Sequence, residues 1–138
     1  MTEFKAAVPV LPASNIARST EFYNEAVGLR IVHQSGGYAV LSKDAIQIHL
    51  WAATDESWKA RQAMPPIESG AESFIAGTAS CRVLVDDIDE LYGELNAKHI
   101  VHPNGHLESK PYGHREFSIL DPDNNLVTFF VPMNEPAP

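Results

Sequence analysis

The chain has 138 residues, 44% hydrophobic and 20% charged, a mixture that argues for one globular domain and against disorder. Ten Lys and Arg face 18 Asp and Glu, a net charge of −8; this disfavours nucleic acid as a partner, because phosphate contacts need concentrated positive charge. No apolar run nears the ~20 residues that cross a bilayer, and the N-terminus has neither the basic start nor the apolar stretch of a secretory signal, so a cytoplasmic protein with no membrane partner is expected.

The predicted elements begin with a short strand over residues 6–12, whose prolines place it at an edge. Ser14 or Asn15 caps a helix over Ile16–Val27, with Ile16, Phe22, Tyr23, Ala26 and Val27 near one face. Gly28 ends it. Leu29–His33 reads as a strand, Gly36-Gly37 as a turn, and Tyr38–Leu41 as the next strand. Ser42-Lys43-Asp44 then turns the chain into a strand over Ile46–Trp51. Residues 54–77 read as a linker, with a helical turn at Trp58–Ala63 that Pro65-Pro66 stops.

The same order then recurs. Ser80–Val85 is a strand ending in Asp86-Asp87. A helix follows from Ile88 to Lys98, with Ile88, Leu91, Tyr92 and Leu95 at helical spacing. Ile100–His102 is a short strand, His102–Gly113 a loop, and Arg115–Leu120 a strand. A turn at Asp121-Pro122-Asp123-Asn124-Asn125 leads into Leu126–Val131, and the polar tail from Met133 frays. The pattern β-α-β-β-β thus appears twice, over residues 6–53 and 78–132, with Asn15-Ile16 corresponding to Asp87-Ile88. The repeat is one of pattern rather than of letters. The chain is expected to be a single α+β domain of two such modules. The lone cysteine, Cys81, can form neither an internal disulfide nor a thiolate metal cluster and reads as a small core residue.

The stretches Ala7-Val8-Pro9-Val10-Leu11, Glu21-Phe22-Tyr23, Asp89-Glu90-Leu91-Tyr92 and Pro111-Tyr112-Gly113-His114-Arg115-Glu116-Phe117, with Asp121-Pro122-Asp123, resemble the vicinal oxygen chelate superfamily. That superfamily includes glyoxalase I, extradiol dioxygenases, and fosfomycin and bleomycin resistance proteins. The likeness is greatest to the bleomycin resistance proteins. The Pro-Tyr-Gly-His-Arg-Glu-Phe stretch carries most of it, although it holds one extra residue and tyrosine in place of tryptophan. The resemblance implies paired modules whose curved sheets form cups, and a homodimer with ligand grooves between subunits.

The resemblance also implies where an enzyme of the superfamily would hold a divalent metal: on the first and last strands of each module. Here those places carry Val8, His49 or Gln47, Ser80 and Thr128. Valine cannot ligate, and serine and threonine ligate weakly, whereas a metal site needs several converging donors. No metal and no cofactor are therefore expected. His99, His102 and His106 read as a polar loop.

Strand alternation decides which side chains share a face. Ile46, Ile48 and Leu50 form an apolar set, leaving Gln47, His49 and Trp51 opposite. Cys81, Val83 and Val85 likewise leave Ser80, Arg82 and Leu84, while Phe117 and Ile119 leave Glu116 and Ser118. Thr128 and Phe130 join that second group. Polar groups among aromatic rings suit an organic ligand. Arg82 needs a partner there, and Glu116 is the expected one, in a bidentate pair.

In bleomycin resistance proteins two aromatic residues sandwich a flat bithiazole, and acidic surface receives a cationic tail. The resemblance places that pair at Tyr38 and Tyr112. The expected function is non-catalytic sequestration of an organic ligand, with bleomycin-type antibiotics as the candidate, through Tyr38, Gln47, His49, Trp51, Arg82, Tyr112, Glu116, Ser118 and Phe130. No residue is assigned a catalytic role. The alternatives are a binding protein for another small metabolite, or a lyase- or dioxygenase-like enzyme of the same superfamily.

Overall fold

The computed structural model describes residues 1–53 and 77–133. The chain divides into two compact units, Met1–Ile75 and Ala76–Pro138. The helical turn expected at Trp58–Ala63 lies outside the described residues, as do the rest of the linker up to residue 76 and the tail after Met133.

In the first unit, strand β1 spans Val10–Ala13. It is shorter than the expected 6–12 strand at its start: the first contact is the Pro9 carbonyl accepting His49 N–H at 3.0 Å. Asn15, rather than Ser14, caps the helix, its side-chain oxygen accepting Arg18 N–H at 3.0 Å. That contact satisfies one of the amides a helix start leaves unpaired. Helix α1 covers Ile16–Glu21 and passes into a π-helical segment, Phe22–Val27. The single helix expected over Ile16–Val27 thus changes pitch halfway. The cause lies at its exit. Gly28 takes φ +93°, and its N–H reaches back to the Tyr23 carbonyl, as does that of Leu29. These rings are wider than an α turn closes, and only glycine adopts that φ without strain. Asn24 Nδ2 donates to Leu29 O at 2.7 Å and fixes the way out. The widened turn buries Tyr23 completely.

Three strands follow: β2 (Arg30–Gln34), β3 (Tyr38–Lys43) and β4 (Ile46–Ala52). The sheet order is β1-β4-β3-β2, with β1 parallel to β4 and the other pairs antiparallel. The turn between β3 and β4 is tighter than Ser42-Lys43-Asp44, because Ser42 and Lys43 stay in the ladder and Asp44 takes a left-handed φ of 50°. Leu11, Ala13, Ala39, Leu41, Ile48 and Leu50 fill the covered face together with Ile16 and Tyr23. Each fully buried Leu or Ile contributes about 1.5–3 kcal/mol of transfer free energy.

The second unit repeats the arrangement. Strand β5 (Ser80–Leu84) leads to helix α2 (Ile88–Asn96), then β6 (Glu108–Ser109), β7 (His114–Leu120) and β8 (Leu126–Pro132). The order β5-β8-β7-β6 matches the first sheet. Asp87 caps α2 by accepting Glu90 N–H. Phe117 and Phe129 stand opposite in register with ring centroids 5.3 Å apart, and Tyr92 meets Phe117 edge-on at 5.1 Å. Arg115 Nη2 donates to Asp89 Oδ1 at 2.8 Å, tying β7 to α2, and this bond holds the Asp89 carboxyl below its usual range. Asp121 accepts from Asp123 N, Asn125 N and Asn125 Nδ2 and closes the β7–β8 turn.

The third strand of this unit is not where the sequence places it. Ile100–His102 contributes only one bridge, Val101 to Ile119. Two local features stop a longer ladder. His99 has a left-handed φ of 59°, and past His102 the Ser118 N–H goes to the Gly105 carbonyl rather than to that of His102. Beyond them, the chain at Gly105 folds back against Ser118, and pairing resumes only at Glu108–Ser109, opposite Arg115 and Glu116. Among the described residues no helix is long and apolar enough to cross a membrane.

Candidate ligand-binding faces

On the first sheet, Tyr38 pairs with Trp51, Val40 with His49, and Ser42 with Gln47. These six side chains therefore share the face turned away from the Leu41–Leu50 core. Val10 and Pro12 join them from β1, opposite His49 and Trp51. Tyr38 Oη lies 2.8 Å from His49 Nδ1, and His49 Nε2 lies 3.0 Å from Gln47 Oε1. The amide oxygen can only accept, so Nε2 carries the ring proton, and a neutral imidazole then accepts at Nδ1 from the tyrosine hydroxyl. The rings of Tyr38 and His49 meet edge-on, 5.5 Å between centroids. The sequence brought Gln47, His49 and Trp51 to one face correctly, and the structure adds Tyr38 to the same hydrogen-bonded row.

On the second sheet, the register aligns Arg82 with Thr128 and Leu84 with Phe130. It also aligns Ser118 with Thr128, Glu116 with Phe130 and His114 with Pro132. Arg82 and Glu116 are paired, with Nη2 2.7 Å from Oε2. The pairing is not the bidentate fork expected. A fork needs aligned hydrogen bonds to both carboxylate oxygens, and the buried Oε2 receives none. Nη2 instead turns toward His114 Nδ1 at 3.1 Å. Arginine can only donate, so Nδ1 accepts and the His114 proton sits on Nε2. The guanidinium carbon lies 4.6 Å above the Phe130 ring centre, His114 stacks on the same ring at 4.8 Å, and Tyr112 meets His114 edge-on at 5.6 Å. Ser118 Oγ and Thr128 Oγ1 bond each other at 2.8 Å.

Eight of the nine residues singled out from sequence thus fall on two sheet faces, and Tyr112 sits in the turn before β7, against His114. Tyr38, Gln47, His49 and Trp51 lie in the first unit, and Arg82, Tyr112, Glu116, Ser118 and Phe130 in the second. His114 is the member the sequence reading passed over. That reading began the strand at Arg115, and one residue earlier the same alternation that selects Glu116 and Ser118 also selects His114. Cys81 faces the helix side with Val83, half-buried rather than enclosed, and burial pushes its thiol up to about 11.

The places where related enzymes hold a metal do not fit one here. Val8 offers no donor, Thr128 is bonded to Ser118, and both His49 nitrogens are engaged. Ser80 pairs with Leu126 and has only a weakly ligating hydroxyl. Among the described residues no three His, Cys, Asp or Glu side chains gather into a metal-holding group.

Known proteins agree with this architecture. The family described as the Glyoxalase/Bleomycin resistance protein/Dioxygenase superfamily matches residues 5–129. A protein of Geobacillus stearothermophilus named bleomycin resistance protein is 47% identical over 124 residues, spanning 90% of this chain and 94% of the relative. The bleomycin-binding protein of Streptomyces verticillus, solved with copper(II)-bleomycin, superposes with a TM-score of 0.70 at 24% identity, over 98% of this chain and 100% of that one. The lactoylglutathione lyase of Agrobacterium tumefaciens superposes with a TM-score of 0.71 at 22% identity, over 94% and 95%. These two structures share the fold while differing in what their names say they do, so the fold by itself does not select an activity. On the family match and the 47% identity, the chain belongs to the glyoxalase/bleomycin resistance protein/dioxygenase superfamily.

Proposed function

We propose that this protein binds and sequesters a small organic ligand without making or breaking bonds, and that bleomycin-type antibiotics are that ligand. One observation carries the reading: on both sheet faces the polar groups are already engaged with one another among aromatic rings. His49 is held from both nitrogens, and Arg82 is held by Glu116 and His114. Such groups are fixed in place for recognition, and fixed donors and acceptors bind at lower entropic cost. The identity to a protein named bleomycin resistance protein supports the choice of ligand. The net charge of −8 supports a cationic one. In this reading Tyr38 and Tyr112 stack the flat part of the ligand. Gln47, His49, Trp51, Arg82, Glu116, Ser118 and Phe130 line the remainder, and two copies of the chain form the grooves. Protection follows from mass action, since bound drug is not free.

Calorimetric titration of metal-free bleomycin into the full chain, in moderate salt, tests it. Saturation near one ligand per chain, roughly, with sub-micromolar affinity is expected. Tyr38→Ala and Tyr112→Ala should each weaken binding by at least about 0.5–1.5 kcal/mol, the worth of an aromatic pair beyond burial, with the lost burial adding to it. Absence of saturable heat overturns the antibiotic reading and moves the search to other flat or cationic metabolites.

A further inference from the structure

We infer that Arg82 is a ligand-orienting donor, and that it selects a neutral carbonyl oxygen attached to a flat group over a carboxylate. The inference deepens the sequestration reading and rests on it in taking this face to be a ligand face.

The guanidinium is held from three directions, by Glu116 Oε2, His114 Nδ1 and the Phe130 ring. Arginine ordinarily loses considerable rotamer freedom when it binds something. Here that loss is already taken in folding. A guanidinium has five N–H donors, and the one hydrogen bond it makes among the described residues leaves from Nη2. The Nε and Nη1 hydrogens make none there. The Arg82 side chain is 45% exposed, so the group is both held in place and open to solvent. Exposed apolar groups stand on the same side: Leu84, two residues along the strand, is 59% exposed, and Tyr112, edge-on to His114, 60%. An acceptor that reaches Arg82 is therefore flanked by rings and a leucine, which suits a carbonyl carried on an aromatic or other planar group.

Charge decides which acceptor. Glu116 is 5% exposed, and its carboxylate cancels the guanidinium at 2.7 Å. Glu108 stands directly opposite Glu116 on β6 and is paired with Lys110. The local field around Arg82 is close to balanced, within a chain of net charge −8. A carboxylate must shed far more hydration than an amide to reach such donors and finds no net positive field in return. An amide oxygen receives the same donors at a smaller desolvation cost.

Benzamide and benzoate, which differ only in this group, are the probes. Their binding is read from the backbone amide resonances of Leu84, His114 and Phe130 in the ¹⁵N-labelled full chain, which persist in Arg82→Gln, and in the wild type also from the Arg82 Nε–Hε resonance, assigned by its absence in Arg82→Gln. Benzamide is expected to shift these resonances saturably, and benzoate to bind at least about tenfold more weakly. Arg82→Gln should abolish both. Glu116→Gln removes the cancelling charge and should reverse the order. Equal or tighter benzoate binding in the wild type overturns the inference, as does benzamide that leaves Arg82 unmoved. Where Glu116→Gln does not fold, the wild-type order and its loss in Arg82→Gln decide alone. Bleomycin that binds Arg82→Gln as tightly as the wild type sinks this inference and leaves sequestration standing. Benzamide that moves Arg82 in a chain that ignores bleomycin does the reverse.

Discussion

Arg82 Nη2 lies 2.7 Å from Glu116 Oε2 while the two side chains differ sharply in burial, 45% and 6% exposed. The partners are therefore not equivalent. Removing the arginine leaves a carboxylate enclosed without its counter-charge. Removing the carboxylate leaves a cation that water can reach. Breaking a fully buried pair costs about 3–5 kcal/mol; with the arginine half in water, Arg82→Met should cost about 1–3 kcal/mol. Glu116→Gln should cost less. The double variant should be more stable than the sum of the singles predicts, because Glu116→Gln removes the charge that Arg82→Met strands. Urea unfolding of the four proteins measures the coupling. Additivity within about 0.5 kcal/mol would show the pair to be incidental.

Tyr38 controls the state of His49. Its hydroxyl hydrogen bonds Nδ1 at 2.8 Å while Gln47 fixes Nε2. Tyr38→Phe keeps the ring and its edge-on contact but deletes the donor. Stability should fall by about 0.5–1.5 kcal/mol, the net worth of one such bond. The more telling readout is the ¹⁵N spectrum of His49. In the wild type one nitrogen should show as protonated Nε2, and in Tyr38→Phe the imidazole should exchange between tautomers. An unchanged pattern would mean that Gln47 alone sets the proton.

These residues also show what alternation reads and what it misses. Gln47, His49 and Trp51 share a face because a strand has period two, and register then puts Tyr38 beside them without any further signal. The Arg82–Glu116 pair was legible for a different reason: two opposite charges on apolar-flanked strands need each other. The helix over Ile16–Val27 was legible as a helix, but its change of pitch was not. That change follows from where Gly28 and Leu29 find a carbonyl, and side-chain periodicity does not record it. The β6 strand was missed because two residues, Glu108 and Ser109, are too few to alternate. His114 was lost to a strand boundary placed one residue late, the least reliable feature of a sequence reading. The sorting of eight of the nine candidates into two faces came from the β-ladders, and Tyr112, in the turn before β7, joins the second only through its ring contact with His114.

Cys81 stands on the helix-facing side of β5, half-buried, and burial raises its thiol to about 11 from an ordinary 9.0, with Asp121 adding to the shift. The thiolate is the reactive form, so a maleimide or disulfide reagent should label the folded chain slowly near pH 8 and faster as pH climbs toward 11. Denaturant should remove the protection. The linkage has a definite sign. A group with a raised folded value holds its proton more tightly when folded, so its contribution is fully present below pH 9 and is lost as pH rises through about 11. Cys81→Ala should therefore lose less stability than the wild type between those limits. Rapid labelling at pH 8 in the folded state would contradict the burial that causes the shift.

Two glycines separate packing from backbone freedom. A methyl group on Gly105 would meet Ser118 Cβ at 3.0 Å, His102 Cβ at 3.1 Å and Ser118 N at 3.3 Å. These neighbours cannot give way easily, since Ser118 N–H donates to Gly105 O and His102 N–H to Ser118 O, both at 2.9 Å. Alanine narrows the unfolded ensemble, which favours folding by about 0.4–1 kcal/mol. Overpacking of this kind costs about 1–3 kcal/mol, and it should win. Gly105→Ala is expected to lower Tm and to push Ser118 off its bond with Thr128. Ser118→Gly in the same chain removes the nearest contact and should return part of the loss. Gly93 makes the opposite case. It lies inside α2 with nothing within 4 Å of an added methyl, so Gly93→Ala has only the helix preference to express. It should raise stability by about 0.5–1 kcal/mol. Both substitutions moving Tm in the same direction would refute the close contact at Gly105 or the open space at Gly93, and the Ser118→Gly background tells which.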